Sequence, residues 1–253
     1  VAFAVLAFPV LMYVALDGYD LGVGILFPFV KGERERTVML HTIEPIWDAN
    51  ETWIVLNGGF LLSAFPLAYG ILFNAWYVPI KIMLFAIVFR DLSIEFHNRP
   101  VHKERWGAVF TAASYVITFI QGSLVGSFIE GIKVDGDVFA GSVFDWITPF
   151  SAFCGVALIG GYALLGATWT IFKVTGELKA WCTTTALRLV FVVSALIAAV
   201  TIWTGFVSAY IRHRWIGDEI LTWLSPDIAV ALVLVLLLTP SLRRGRPRPP
   251  SIS

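Results

Sequence analysis

Charge is what this 253-residue chain has least of: Asp, Glu, Lys and Arg together make up 14% of it, and the two signs cancel at 18 residues each. Soluble domains carry roughly 25% charged and about 45–50% apolar residues, whereas here the apolar share is 58% and the mean hydropathy +0.79. A water-soluble fold is excluded by that contrast. Nucleic acid is excluded as a partner too, because the basic residues fall between apolar runs and form no basic surface. Cysteine is scarce: Cys154 and Cys182 make no C-x-x-C and no metal-ligand spacing, so they are read as small buried or near-interface side chains and thiol redox chemistry is set aside. The four histidines, His41, His97, His102 and His213, all fall in connections or at the ends of apolar runs. None is mid-span, where an intramembrane haem would need its axial ligand, so the chain is expected to bind no haem through a buried histidine. It has no phosphate-cradling glycine loop and no nucleophile elbow, and any enzyme activity would need a partner. The first apolar run is too long, and at Asp17 and Asp20 too acidic, for a cleaved signal peptide, so the start reads as mature or clipped.

What the chain does have is a series of apolar runs near or above about 18 residues, the length that crosses a bilayer as a helix. They predict seven spans, roughly 2–29, 51–73, 77–96, 107–128, 147–172, 186–210 and 220–239. The expected fold is an all-α polytopic membrane protein: one helix bundle over 1–240, then a disordered Arg/Pro-rich cytoplasmic tail over 241–253. Long strands are excluded, since an open sheet edge cannot sit in lipid and the runs lack barrel alternation. Fourteen of the 18 basic residues lie in or beside the connections after spans one, three, five and seven. The positive-inside rule then puts the N-terminus outside, the tail in the cytoplasm and the acidic loop around Glu130 to Asp145 outside. Eight of the ten tryptophans, Trp47, Trp53, Trp76, Trp106, Trp146, Trp181, Trp215 and Trp223, fall near span ends as an aromatic belt.

Acids at membrane depth need a reason, because each costs on the order of a few kcal/mol unless it faces protein, water or a partner. At the cytoplasmic start of span two, Trp47-Asp48-Ala49-Asn50-Glu51-Thr52-Trp53 sets Asp48 and Glu51 three residues apart, close enough on one helix face to share a proton or a water chain. Proton handling or subunit contact is one reading. The other is helix-start chemistry, in which Pro45 and first-turn acids suit the cap and the dipole. Asp17 and Asp20 in span one are also three apart, with Lys81 or Arg90 of span three as candidate ion-pair partners; a structural ion network and a polar pathway both stay open. Arg90 and Glu95 lie near the inner end of span three, and Arg90 is expected to snorkel to the interface. Gly18 with Gly22, and Gly122 with Gly126, form small-x-x-x-small pairs that let helices approach closely.

Taken in order, Leu16-Asp17-Gly18-Tyr19-Asp20-Leu21-Gly22-Val23-Gly24, Thr42-Ile43-Glu44-Pro45-Ile46-Trp47-Asp48-Ala49-Asn50-Glu51, Ala64-Phe65-Pro66, Gln121-Gly122, Thr148-Pro149-Phe150, Gly161-Tyr162-Ala163-Leu164-Leu165-Gly166-Ala167-Thr168-Trp169 and Lys173-Val174-Thr175-Gly176-Glu177-Leu178 resemble subunit II of cytochrome bd quinol oxidases. The Trp47 signature with Ala49 and Asn50 looks most like the cyanide-insensitive branch. The resemblance covers residues 1–210 well and thins afterwards; members usually have nine spans and about a hundred more residues, so a truncation, a frameshift or an incomplete gene stays open. It implies a haem-free subunit of the bacterial inner membrane beside a subunit I that carries haems b and d and the quinol site. The pair would reduce oxygen to water, with protons drawn from the cytoplasm, a small third subunit and a structural quinone as optional members, and Trp47-Asp48 near the proton route at the subunit interface. The alternatives are a proton- or cation-coupled transporter, which would show paired broken helices in two halves, and a scaffold whose acids are merely ion-paired.

Overall fold

The computed structural model describes residues 2–97, 103–208 and 211–212. Among them run eight α-helices: α1 (Ala2–Leu26), α2 (Glu33–His41), α3 (Trp47–Ala64), α4 (Pro66–Ala75), α5 (Tyr77–His97), α6 (Lys103–Glu130), α7 (Pro149–Lys173) and α8 (Gly176–Val207). A 3-10 turn, Phe27–Phe29, follows α1, and a two-residue-per-strand hairpin, β1 (Val134–Asp135) with β2 (Val138–Phe139), joins α6 to α7. The protein is an all-α polytopic membrane protein. The first six predicted spans are helical over most of their described residues; residues 209–210 of the sixth, all of the seventh at 220–239, and the tail at 241–253 lie outside them.

Two boundaries differ from the sequence expectation. The span predicted at 51–73 is broken at Phe65, whose φ of −140° and ψ of 61° end α3 before Pro66 opens α4. Proline has no N–H to continue the ladder and forces the residue before it out of the helical region. A second break follows at Trp76, where α4 and α5 meet at 81°. The sixth span starts at Gly176 rather than 186, because the polar first turns of α8 extend the helix beyond its apolar stretch. Among the described residues four helices are long and apolar enough to cross a membrane, those of α1, α6, α7 and α8, and five if the bent α4–α5 pair counts as one span. The charged residues of α3 and α5 set these two apart: Asp48 and Glu51 on the first, Lys81, Arg90, Asp91 and Glu95 on the second.

Helix α1 is the centre of the bundle, packed against α3, α6 and α7, while α5 lies on α6 and α8 on α7. The most apolar stretch of α1 is 61% buried, against 17% for that of α8 at the periphery. Glycine makes these crossings close. A Cβ on Gly22 would overlap the Tyr162 carbonyl and one on Gly166 would overlap the Gly22 backbone, so α1 and α7 touch main chain to main chain. Gly122 and Gly126 do the same for α6 on α7, where a Cβ would stand 2.6 Å from the Cys154 carbonyl oxygen and 2.6 Å from the Ser151 Cα. A Cβ on Gly18 would meet the Tyr162 ring at 2.9 Å. Helix α7 begins with a capping box: the Thr148 hydroxyl accepts from the Ser151 N–H, the Ser151 hydroxyl accepts from the Thr148 N–H, and Pro149 takes the first helical position.

The connections gather at two ends. One holds the turn after α1, all of α2, the α5–α6 ends and the α7–α8 connection. Lys31, Arg34, Arg36, Lys103, Lys173 and Lys179 belong to it, which makes it the basic end. The other holds Trp76, Ser127 and the loop to Thr148. There Lys133 pairs with Asp145 at 2.9 Å, and this contact holds the Asp145 carboxyl below the usual carboxylate range.

Candidate functional site

Asp17 and Asp20 stand on the same face of α1, and both are fully buried. Their charged and polar partners come from α5 and α3. Arg90 of α5, also fully buried, donates from Nη2 to Asp17 Oδ1 at 2.9 Å and lies 3.0 Å from Glu51 Oε1, with its Nε 3.9 Å from Asp91 Oδ1. One guanidinium therefore serves three carboxylates from three helices. Arg90 does not snorkel, contrary to expectation: a fully enclosed side chain has no path to the interface, and the carboxylate delivered by α1 replaces the water it would have reached. Lys81, the other candidate partner, is exposed and donates to the Tyr77 hydroxyl within its own helix, with its ammonium over the Tyr77 ring.

Asp20 takes a different partner. Asn50 Nδ2 donates to Asp20 Oδ2 at 2.7 Å and lies 2.9 Å from the Tyr19 hydroxyl, so the amide ties α3 to α1 where the guanidinium ties α5 to α1. The Tyr19 ring stacks on Trp169 of α7 at 4.1 Å, and Trp169 Nε1 donates to the Thr42 carbonyl at 3.3 Å. On the N-terminal side of Asp17, Tyr13 accepts from Gln121 Nε2 at 2.6 Å, and Tyr162 donates to Gln121 Oε1 at 3.1 Å. Polar groups thus extend along α1 from Asp20 through Asp17 to Tyr13, inside a bundle that is otherwise apolar.

The helix that starts with Trp47 divides its polar residues by direction. Asn50 is buried against Asp20, Glu51 is half-buried against Arg90, and Asp48 is exposed, with no side-chain hydrogen bond or ion pair among the described residues. Asp48 and Glu51 thus share an approximate face but not an environment. Ile46 occupies the N-cap position of α3 without a side-chain bond, so Asp48, in the first turn, contributes there only through the helix dipole, about 0.3–1 kcal/mol. Trp47 is half-buried against the core. Asn50, Asp91, Tyr13, Gln121 and Tyr162 were not singled out from sequence as parts of this site. Asp91 had a visible signal, a second charge beside Arg90 in an apolar run; the uncharged members had none that separates them from ordinary packing.

The cluster holds four carboxylates, Asp17, Asp20, Glu51 and Asp91, against one guanidinium. Asp17 Oδ2, Asp20 Oδ1 and Arg90 Nη1 are buried without a protein hydrogen-bond partner, although buried polar groups as a rule have one. Such an arrangement has spare acceptors and a spare donor for proton-carrying groups. It does not resemble a metal centre, and among the described residues no group of three or more His, Cys, Asp or Glu side chains is placed to hold a metal ion.

Comparison with known proteins gives a consistent result. The family model for cytochrome bd terminal oxidase subunit II matches residues 1–252. The chain is 30% identical over 172 residues to the probable cytochrome oxidase subunit 2 of Haemophilus influenzae, covering 64% of this chain and 46% of that one. It is 26% identical over 204 residues to the cytochrome bd-I ubiquinol oxidase subunit 2 of Escherichia coli K12, covering 77% and 54%. Against the cytochrome bd ubiquinol oxidase subunit 2 of Bacillus subtilis it is 33% identical over 148 residues, covering 56% and 44%. The chain spans about half the length of the curated relatives it matches.

Proposed function

Because this chain belongs to the cytochrome bd terminal oxidase subunit II family, we propose that it works as the haem-free partner of a haem-bearing subunit I in a quinol:oxygen oxidoreductase of the bacterial inner membrane. Haems b and d and the quinol site belong to subunit I on this reading, with a structural quinone and a small third subunit as further members of the assembly. Subunit I supplies the redox chemistry. This chain's residues bind that subunit and move protons toward it from the cytoplasm, and family membership weighs against the cation-coupled transporter.

The observation that carries the proton role is the carboxylate excess around Arg90. Four acids at membrane depth around a single cation offer adjacent sites between which a proton can pass, since interacting carboxylates exchange protons as a group. Asp48, exposed one turn before Glu51 at the basic end, is the entry on this reading. Glu51 receives from it, and Asp17 and Asp20 lie deeper. The half-buried Glu51 also argues that this face is covered by protein, since lipid would make it costly. Helices α1, α3 and α5 then form the face toward subunit I.

The test is to produce the chain alone in membranes and offer it haem. The expected result is no stoichiometric haem, no defined absorbance spectrum and no quinol oxidation. Stoichiometric binding with unaided quinol oxidation would overturn the subunit reading.

A further inference from the structure

At the basic end, a cavity of about 400 Å³ opens between the turn after α1, the start of α2, the end of α5 and the start of α6. It shares no residue with the carboxylate cluster. Two of the groups lining it are buried polar atoms without a hydrogen-bond partner among the described residues. His97 is 2% exposed, neither of its ring nitrogens has a hydrogen-bond partner among the described residues, and Glu33 Oε1 at 3.9 Å is beyond hydrogen-bond reach. The Thr111 hydroxyl is likewise buried without a partner among the described residues. Phe27 meets the imidazole edge-on at 5.5 Å.

The charges around the mouth are of both signs. Arg36 and Lys103 bring two cations, Glu33 and Glu104 two carboxylates. Arg36 is itself anchored, donating from Nε to the Val30 carbonyl at 2.9 Å and from Nη2 to that of Pro28 at 3.3 Å. One wall is apolar and open: Ala108 and Ala112, a turn apart on α6, are both exposed. Gly107 keeps the cavity's edge tight, since a Cβ there would stand 2.8 Å from the Phe27 ring.

We propose that this cavity binds the headgroup of a zwitterionic aminophospholipid from the cytoplasmic leaflet. The phosphate meets Arg36, Lys103, His97 and the Thr111 hydroxyl, the ammonium meets Glu33 and Glu104, and the acyl chains leave over Ala108 and Ala112. Both signs of charge are then paired, and both orphaned groups gain a partner. An anionic glycerol headgroup would satisfy the cations but set its phosphate against two carboxylates with no ammonium between them. The site is independent of the proton role proposed for the Arg90 cluster.

Native mass spectrometry of the full chain, purified with its co-purifying partners from membranes and exchanged into lipid-free detergent, tests this directly. Phosphatidylethanolamine is expected to stay bound at one per chain. In mixed nanodiscs with equal phosphatidylglycerol it is expected to be preferred about tenfold, the effect of one added charge-assisted contact. Lys103→Gln and Thr111→Val are expected to lower retention by about fivefold to tenfold each, with unchanged elution and helical circular dichroism. Equal retention of phosphatidylglycerol, or undiminished retention in both variants, would overturn the proposal. So would binding of soluble phosphoethanolamine as strong as that of the lipid, which would make the ligand a free phosphate compound. The lipid preference of the unsubstituted chain decides the question even where a variant fails to fold.

Discussion

Arg90→Met is expected to leave little folded chain in the membrane. The substitution keeps an unbranched apolar stem of similar reach but removes the one cation shared by Asp17, Glu51 and Asp91, two of which lie within 3.0 Å of it. Removing one partner of a buried ion pair costs about 3–5 kcal/mol, because the remaining charge stays enclosed without compensation. That is a large share of the roughly 5–15 kcal/mol that holds a typical domain together. The measurement is the yield of monodisperse protein in mild detergent, with its thermal midpoint. The double variant Arg90→Met with Asp17→Leu should recover part of the loss, since the most deeply enclosed acid goes with its partner. Arg90→Lys should fall between, because an ammonium cannot reach three carboxylates through the planar fork of a guanidinium. A wild-type melting profile for Arg90→Met would mean that the acids are compensated by something other than this arginine.

Asp48→Asn is expected to slow oxygen consumption while leaving folding and haem content unchanged. The side chain is exposed and unpaired among the described residues, so its loss removes little beyond the dipole contribution to the first turn of α3. If it is the entry acid, the amide interrupts proton delivery, and turnover should fall by about tenfold or more, the scale on which loss of a positioned proton carrier slows a proton-limited step. Turnover per haem in the assembled complex is the quantity to compare. Unchanged turnover would confine Asp48 to the helix start, and loss of haem from the complex would assign it to assembly.

How much of this was legible in the sequence depended on whether the signal was local. Asp17 and Asp20 stood out because acids in an apolar run need a reason, whatever surrounds them. The glycines of the α1–α7 and α6–α7 crossings were visible for the same reason, as spacings within one helix. Arg90 was misjudged because its alternatives, snorkelling or pairing, differ only in where α1 passes, and Asp17 is 73 residues away. Asn50 is the buried member of the stretch that also holds Asp48 and Glu51, and its role is not legible from that stretch because it depends on Asp20 lying opposite it. The break at Phe65 was signalled by Pro66, but the apolar run continued across it and masked the turn. The cavity beside His97 could not be read at all, because it forms from four separate segments.

The most direct measurement is the visible spectrum of whatever co-purifies with this chain when it carries an affinity tag and is expressed with its neighbouring membrane proteins. The account predicts a haem-bearing polypeptide in equal amount, haem absorbance including a band in the red, and quinol-dependent oxygen consumption. A haem-free particle that moves a cation or solute across the membrane would contradict it.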